Sequence, residues 1–314
     1  MDKTLDDQIR RGQLIALGSG QESLLDQMKA LLPPPHGTKT LNWHYRSKCE
    51  SLIAFSNAQE DLYDWRLTTF PNAGDGNCVS HVLAPFTAGV EEASASAKAE
   101  VQKVVDLVIR HAEERSEQSL GVIALGSSHA NRIEDELRKQ LELRSDLEEF
   151  FEKSGSEPFF VKNLERVQGD ERDAIILTTG YSKTKDGRMR YNFGPINQET
   201  GYRRLNVAVT RAKLSMTLVS SFSSADMDDE KLNDIGPRML KDYLLYAESG
   251  GKNLGRRARV RPPMNAFERD IYEALTNEGL RLTPQYGDSG YRIDFAAMHP
   301  ERPGDPILAI EADG

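Results

Sequence analysis

The stretch Arg203-Arg204-Leu205-Asn206-Val207-Ala208-Val209-Thr210-Arg211-Ala212-Lys213 decides how the rest of the chain is read. It predicts a helix whose small residues, Ala208 and Ala212, allow close packing on a sheet, with Arg204, Arg211 and Lys213 carrying positive charge at its two ends. A guanidinium stays charged at any physiological pH and presents a rigid fork of donors suited to phosphate oxygens, which singles out Arg211. Basic residues at a helix C-terminus also offset the macrodipole and keep a face solvated, so the stretch alone leaves both readings open.

Outward from this helix the chain alternates between short apolar runs and helical patterns. Ser215-Met216-Thr217-Leu218-Val219-Ser220 follows it and Ala174-Ile175-Ile176-Leu177-Thr178-Thr179 precedes it, both reading as strands. Gly121-Val122-Ile123-Ala124-Leu125 and Phe159-Phe160-Val161 predict two more. Val101, Val104, Val105 and Val108 fall at helical spacing over residues 100–114, and Ile133, Leu137 and Leu141 mark a second helix opened by Gly126-Ser127-Ser128-His129. Leu240, Tyr243, Leu244 and Tyr246 give a closing helix. Strands alternating with helices imply an α/β fold, a parallel sheet covered by helices on both faces. The polar connection over residues 183–201 is long for a compact domain and is expected to overhang a nucleotide or a bound strand. Glu134, Asp135, Glu136, Glu142, Asp146, Glu148, Glu149 and Glu152 read as a solvated acidic face.

Three polar segments carry chemistry. Gln168-Gly169-Asp170-Glu171 leads into a strand, its glycine permits close backbone approach to a ligand, and Glu171 would accept from hydroxyls. A plain turn before a buried strand has the same pattern. Tyr45-Arg46-Ser47 places a second guanidinium beside an aromatic ring, and a surface arginine next to a half-buried tyrosine reads identically. Ser127 and Ser128 stand at a helix start, where backbone donors favour phosphates and where serines also serve as N-caps.

Taken in order, these segments resemble the C-terminal motor domain of superfamily one DNA and RNA helicases, AAA-type, in the branch of the RNA-surveillance helicases. Leu41-Asn42-Trp43-His44-Tyr45-Arg46-Ser47, followed by Leu52-Ile53-Ala54-Phe55-Ser56-Asn57, is similar to the fourth family motif. Val167-Gln168-Gly169-Asp170-Glu171-Arg172-Asp173 is similar to the fifth, and the 203–213 stretch to the sixth. The resemblance implies a RecA-like fold over residues 41–248 and an ATP site with Mg²⁺ at Arg46, Gly169, Glu171 and Arg211, with Arg46 and Arg211 acting on the terminal phosphate. It also implies nucleic-acid contacts, to DNA or RNA, from Ser127, Gln168 and Arg204. The family's glycine-rich phosphate loop is not found before Leu41, and Gly18-Ser19-Gly20-Gln21 is not one. Residues 1–40 are therefore expected to lead in from a separate N-terminal RecA-like half, without which the chain should not hydrolyse ATP. A non-catalytic nucleic-acid-binding module is the alternative.

Composition shifts after the closing helix. Ser249-Gly250-Gly251-Lys252-Asn253-Leu254-Gly255 and the basic run Arg256, Arg257, Arg259 and Arg261 predict a flexible linker over 249–263. Phe267, Ile271 and Leu275 then mark a helix, and residues 291–296 and 306–314 read as strands ending in acids. This tail, 264–314, resembles the start of a restriction-endonuclease-like α/β domain of the very-short-patch-repair kind. That resemblance implies a metal-dependent nuclease in which Asp294 and Glu311 share Mg²⁺, with Asp313 and Glu268 as lesser candidates. Asp313 stands where the usual motif has a lysine.

The chain has 314 residues, 38% hydrophobic and 28% charged, enough for a sizeable core and more than one domain. No apolar run spans a bilayer and the N-terminus lacks a signal peptide's apolar core, so a cytoplasmic protein is expected. A net charge of -9 excludes a uniformly basic nucleic-acid binder and leaves local basic patches open. Cys49 and Cys78 have no close cysteine or histidine partner at a ligand spacing, so both read as free structural thiols rather than a zinc site or a disulfide.

Overall fold

A computed structural model describes residues 41–71, 78–86, 97–152, 157–255, 263–287 and 292–312, together with Met28 and Leu32. The chain divides into two compact units, Met1–Asn42 and Trp43–Gly314. In the second, five strands form one sheet: β1 (Val79–Leu83), β2 (Leu120–Ala124), β3 (Phe160–Asn163), β4 (Arg172–Thr178) and β5 (Ala212–Ser220). Their order is β1-β5-β4-β2-β3, and every pairing is parallel. Parallel neighbours need crossovers: after α1 (Ser51–Asn57), which precedes β1, α2 (Lys98–Glu114) runs between β1 and β2, α3 (Ser127–Leu141) and α4 (Glu148–Glu152) between β2 and β3, and α5 (Gly201–Val209) between β4 and β5, while α6 (Ile235–Glu248) follows β5.

Both faces of the sheet are covered, as near-continuous apolar strands require. On one face Val101, Val104, Val105 and Val108 of α2 and Ile133 and Leu137 of α3 pack on Leu120, Val122, Ala174 and Ile176. On the other, Phe55 of α1, Leu205 and Ala208 of α5 and Leu240 and Leu244 of α6 pack on Ile123, Ile175, Leu177, Met216 and Leu218. Alternate residues of β4 thus serve opposite layers, the α/β architecture expected of a RecA-like domain.

Three local expectations are corrected. The 203–213 stretch is not one helix: α5 stops at Val209, and Ala212 and Lys213 already belong to β5. Thr210 ends the helix, its hydroxyl donating to the carbonyls of Asn206 (2.9 Å) and Val207 (3.2 Å). The opening of the expected linker is a built helix stop, in which Gly250 and Gly251 adopt positive φ and their N–H groups return to the carbonyls of Ala247 and Tyr246. The arginines 256, 257, 259 and 261 lie outside the described residues.

The cysteines are the third. Cys49 and Cys78 form a disulfide with their Cα atoms 6.3 Å apart. Both flank β5: Lys48 N–H donates to the Lys213 carbonyl, and the Cys78 carbonyl accepts from Met216 N–H. Sequence spacing does not report that adjacency.

In the C-terminal part, α7 (Ala266–Asn277) precedes an antiparallel sheet of β6 (Leu282–Tyr286), β7 (Ile293–Met298) and β8 (Pro306–Ile310) in the order β6-β7-β8. β6, with Pro284 and positive φ at Gln285, escapes a periodicity reading. No helix among the described residues is long and apolar enough to cross a membrane.

Candidate nucleotide and nucleic-acid edges

The N-terminal ends of β4 and β5 gather the charged residues that sequence motifs single out. Arg46 lies on a segment held across β5 by the Lys48 to Lys213 hydrogen bond. Its Nε donates to Glu171 Oε2 at 2.6 Å and its Nη1 to the Thr210 carbonyl at 3.3 Å. Both partners of this ion pair are partly exposed, with 33% and 40% of side-chain surface accessible. Arg211 occupies the two-residue joint between α5 and β5, donating from Nε to the Val207 carbonyl (2.8 Å) and from Nη1 to the Asp170 carbonyl (3.5 Å). Burial first, and then the nearby Arg46 cation, press its pKa below the usual guanidinium range. Two guanidinium groups thus converge, with Glu171 paired to Arg46 and Asp170, itself paired to Lys162, also acting on Arg211; three cations face two carboxylates, a combination that favours an additional anion. Gly169 is exposed beside them at φ +93, a left-handed conformation that favours glycine.

Gln168 and Arg204 are brought together on the flank of α5, lining with Leu164, Glu165 and Val207 a cavity of about 310 Å³. Val207 joins this cavity to Arg211 through its carbonyl. Arg204 also donates to the Pro195 carbonyl and to Gln198 Oε1. Lys213, which the sequence offered as a projecting cation, is tied to Glu157 (2.7 Å) and Asp173 (3.1 Å). Tyr45 is 90% exposed rather than half-buried.

Ser127 is not brought to this group. It opens α3 beyond the C-terminal end of β2, the length of β4 away, about 20 Å at the rise of a strand. Neither Ser127 nor Ser128 caps the helix, as the sequence suggested; Gly126 is the N-cap, no side chain accepts from the first turn, and both serines are exposed. The 183–201 connection leaves β4 at this same end, so it borders Ser127 and not the arginine pair. Tyr181 lies two residues before it, and the Tyr181 hydroxyl stands where a side chain on Gly194 would be.

A cluster the motifs do not announce sits beneath this edge. Glu100, in the first turn of α2, is wholly buried beside His129, Thr178, Thr179, Gly180 and Ser221. A signal was present: Glu100 precedes Val104 by one turn and Val108 by two, on the buried face of its helix.

In the small sheet, Asp294 and Glu311 are neighbours. Asp294 N–H donates to Glu311 Oε2 (3.4 Å) and Ala312 N–H donates to Asp294 Oδ2 (2.8 Å). Asp313 lies outside the described residues, among which no group of three His, Cys, Asp or Glu side chains is placed to hold a metal. Glu268 caps α7 in reciprocal bonds with Asn265.

Residues 21–223 match the family model described as AAA domain. The chain is 33% identical over 226 residues to the uncharacterized ATP-dependent helicase MG140 of Mycoplasma genitalium, covering 68% of this chain and 19% of that protein. It is 31% identical over 292 residues to the MG140 homolog of Mycoplasma pneumoniae, covering 86% of this chain and 25% of the relative. The chain thus spans about a fifth to a quarter of the length of the curated relatives it matches. The C-terminal domain of a possible DNA helicase from Lactobacillus plantarum superposes with a TM-score of 0.32 at 16% identity, over 56% of this chain and 86% of that one, a likeness too slight to argue from. The family model extends over well more than half of the sequence, including the Arg46, Glu171 and Arg211 edge, and the chain belongs to the AAA domain family as a superfamily one helicase-like domain.

Proposed function

We propose that this chain supplies the second motor domain of an ATP-dependent DNA or RNA helicase. In this reading Arg46 and Arg211 engage the terminal phosphate of an ATP and Mg²⁺ held by a separate RecA-like half, while Gly169 and Glu171 line the same nucleotide edge. Ser127, Gln168 and Arg204 hold the nucleic-acid backbone. The observation that carries the reading is the convergence of Arg46 and Arg211 from distant parts of the chain on one partly exposed edge, with Glu171 paired to Arg46. The residues fit the ligand: two guanidinium groups match phosphate oxygens, and together with Lys162 they outnumber the Glu171 and Asp170 carboxylates, which leaves the edge with net positive charge. ATP, when bound, supplies the phosphoryl group whose transfer to water drives the motor. Arg46 and Arg211 would bind and orient that group, and Glu171 keeps Arg46 extended along the edge.

The test is nucleic-acid-stimulated ATPase of the full-length protein. Arg211→Ala should lower the rate about a thousandfold, the scale of an arginine-finger loss, with thermal stability retained. Equal rates in wild type and variant, or no stimulated ATPase in either, would sink the motor reading.

The C-terminal sheet, in the same proposal, begins a Mg²⁺-dependent nuclease in which Asp294 and Glu311 supply hard oxygen ligands. Their side-by-side placement at one end of β7 and β8 supports the pairing. Mg²⁺-dependent cutting of nucleic acid by the full-length protein should vanish on Asp294→Ala; cutting that persists removes this residue from the site.

A further inference from the structure

Five hydrogen-bond contacts from four donor groups converge on the buried carboxylate of Glu100. Oε1 accepts from Thr178 Oγ1 (2.6 Å), Thr179 Oγ1 (3.1 Å) and the Gly180 N–H (2.7 Å). Oε2 accepts from Ser221 Oγ (3.0 Å) and Thr179 Oγ1 (3.3 Å). Thr178 is the last residue of β4 and Ser221 follows the last residue of β5, so one side chain from α2 ties the C-terminal ends of two central strands.

The network continues outward. Since the Thr178 hydroxyl donates its proton to Glu100, it accepts from His129, whose Nε2 lies 2.9 Å away. That assigns the Nε2–H tautomer, in keeping with the neutral ring: burial, and then Arg132, hold the His129 pKa down at about 3. His129 is the third residue of α3, directly after the exposed Ser127 and Ser128. Gly180 closes the unit at φ +75, packed so tightly on the imidazole that a Cβ would lie 2.6 Å from its Cγ. Beyond Gly180, Ser182 is buried with its hydroxyl unpartnered, at the root of the 183–201 connection.

We infer that Glu100 is a positioning residue for the nucleic-acid edge: by fixing Thr178, Thr179 and Gly180 it sets, through His129, the placement of the α3 N-terminus and of the root of the connection beside it. The inference rests on the proposal that Ser127 contacts a nucleic-acid backbone. Glu100 touches no ligand in this account. It acts through the hydroxyl and imidazole groups it aligns, and it lies at the opposite end of β4 from Arg46, Glu171 and Arg211. Disturbing it should therefore weaken the strand contact while leaving the arginine edge intact.

The experiment uses the 314-residue chain and a fluorescent single-stranded oligonucleotide, read by anisotropy alongside thermal melting. Glu100→Gln keeps the volume but sets an amide N–H₂ among donors, and Thr178→Val, at nearly the same size, removes the hydroxyl that joins Glu100 to His129 and with it both bonds. Each variant, at temperatures where melting shows it folded, should bind about tenfold more weakly, the scale of one or two lost buried hydrogen bonds. A purely structural role would lower the melting temperature and leave the affinity of the folded protein unchanged. Wild type, Glu100→Gln and Thr178→Val binding alike would overturn this inference alone, and Thr178→Val decides it if Glu100→Gln fails to fold. Absence of binding by wild type would overturn the nucleic-acid reading, and this inference with it.

Discussion

Glu100 and His129 share one buried cluster and titrate in opposite senses. Burial raises the Glu100 carboxyl from 4.5 to about 7, against the pull of its Gly180, Thr178, Ser221 and Thr179 donors. The folded state then holds that proton more tightly than the unfolded chain, so the stabilisation is complete below about pH 4.5 and is lost as pH rises through about 7. His129, lowered from 6.5 to about 3, contributes stability above pH 6.5 that is lost as pH falls toward 3. In denaturant unfolding, the stability of wild type relative to Glu100→Gln should therefore decline as pH is raised from 4.5 to beyond 7. A difference independent of pH over that window would mean that the Glu100 carboxyl keeps its ordinary value in the fold. Arg211 belongs to the same scale. Its type was enough to single it out, but its position outside the helix follows from Thr210, whose hydroxyl takes two carbonyls at the end of α5.

At the scale of elements, the closest fit is where the starts of α5 and α6 meet the turn Gly194–Asn197. Ile196 in that turn is fully buried, and both Gly201 and Gly236 face its carbonyl so closely that a Cβ on either would enter its van der Waals surface. The two glycines let the helix starts close on the turn, which in turn ends the connection from β4. Gly236→Ala should destabilise the fold by about 1–3 kcal/mol through overpacking, seen as a lower denaturant midpoint at unchanged m-value. A midpoint equal to wild type would show that α6 moves aside freely. The helices themselves were legible because valine and leucine spacing records which side of a helix is buried, and α2 and α3 followed that pattern. Their caps were not: Ser127 and Ser128 are the residue types that cap, but Gly126 holds the extended conformation of the N-cap and the serines fall inside the first turn. β6 was missed because a proline and a positive-φ glutamine interrupt it.

For the whole molecule, the chain's pattern of strands and helices prescribed an α/β layer structure, and the arginines, glycines and acids at fixed spacings marked the candidate residues for chemistry. A buried apolar strand encodes that it is covered on both faces; it does not encode which strand lies beside it. The order β1-β5-β4-β2-β3 was decided by tertiary packing, and with it the adjacency that bonds Cys49 to Cys78 across the start of β5. The same order sorts the candidate residues to opposite ends of the strands, Arg46, Glu171 and Arg211 at one and Ser127 with the Glu100 cluster at the other. Sequence thus determined the kinds of groups present and the local elements that carry them. Their distances, their burial and the Glu100–Thr178–His129 chain arise only when parallel strands far apart in sequence are laid side by side, because crossovers of differing length leave no local trace of which ends will meet.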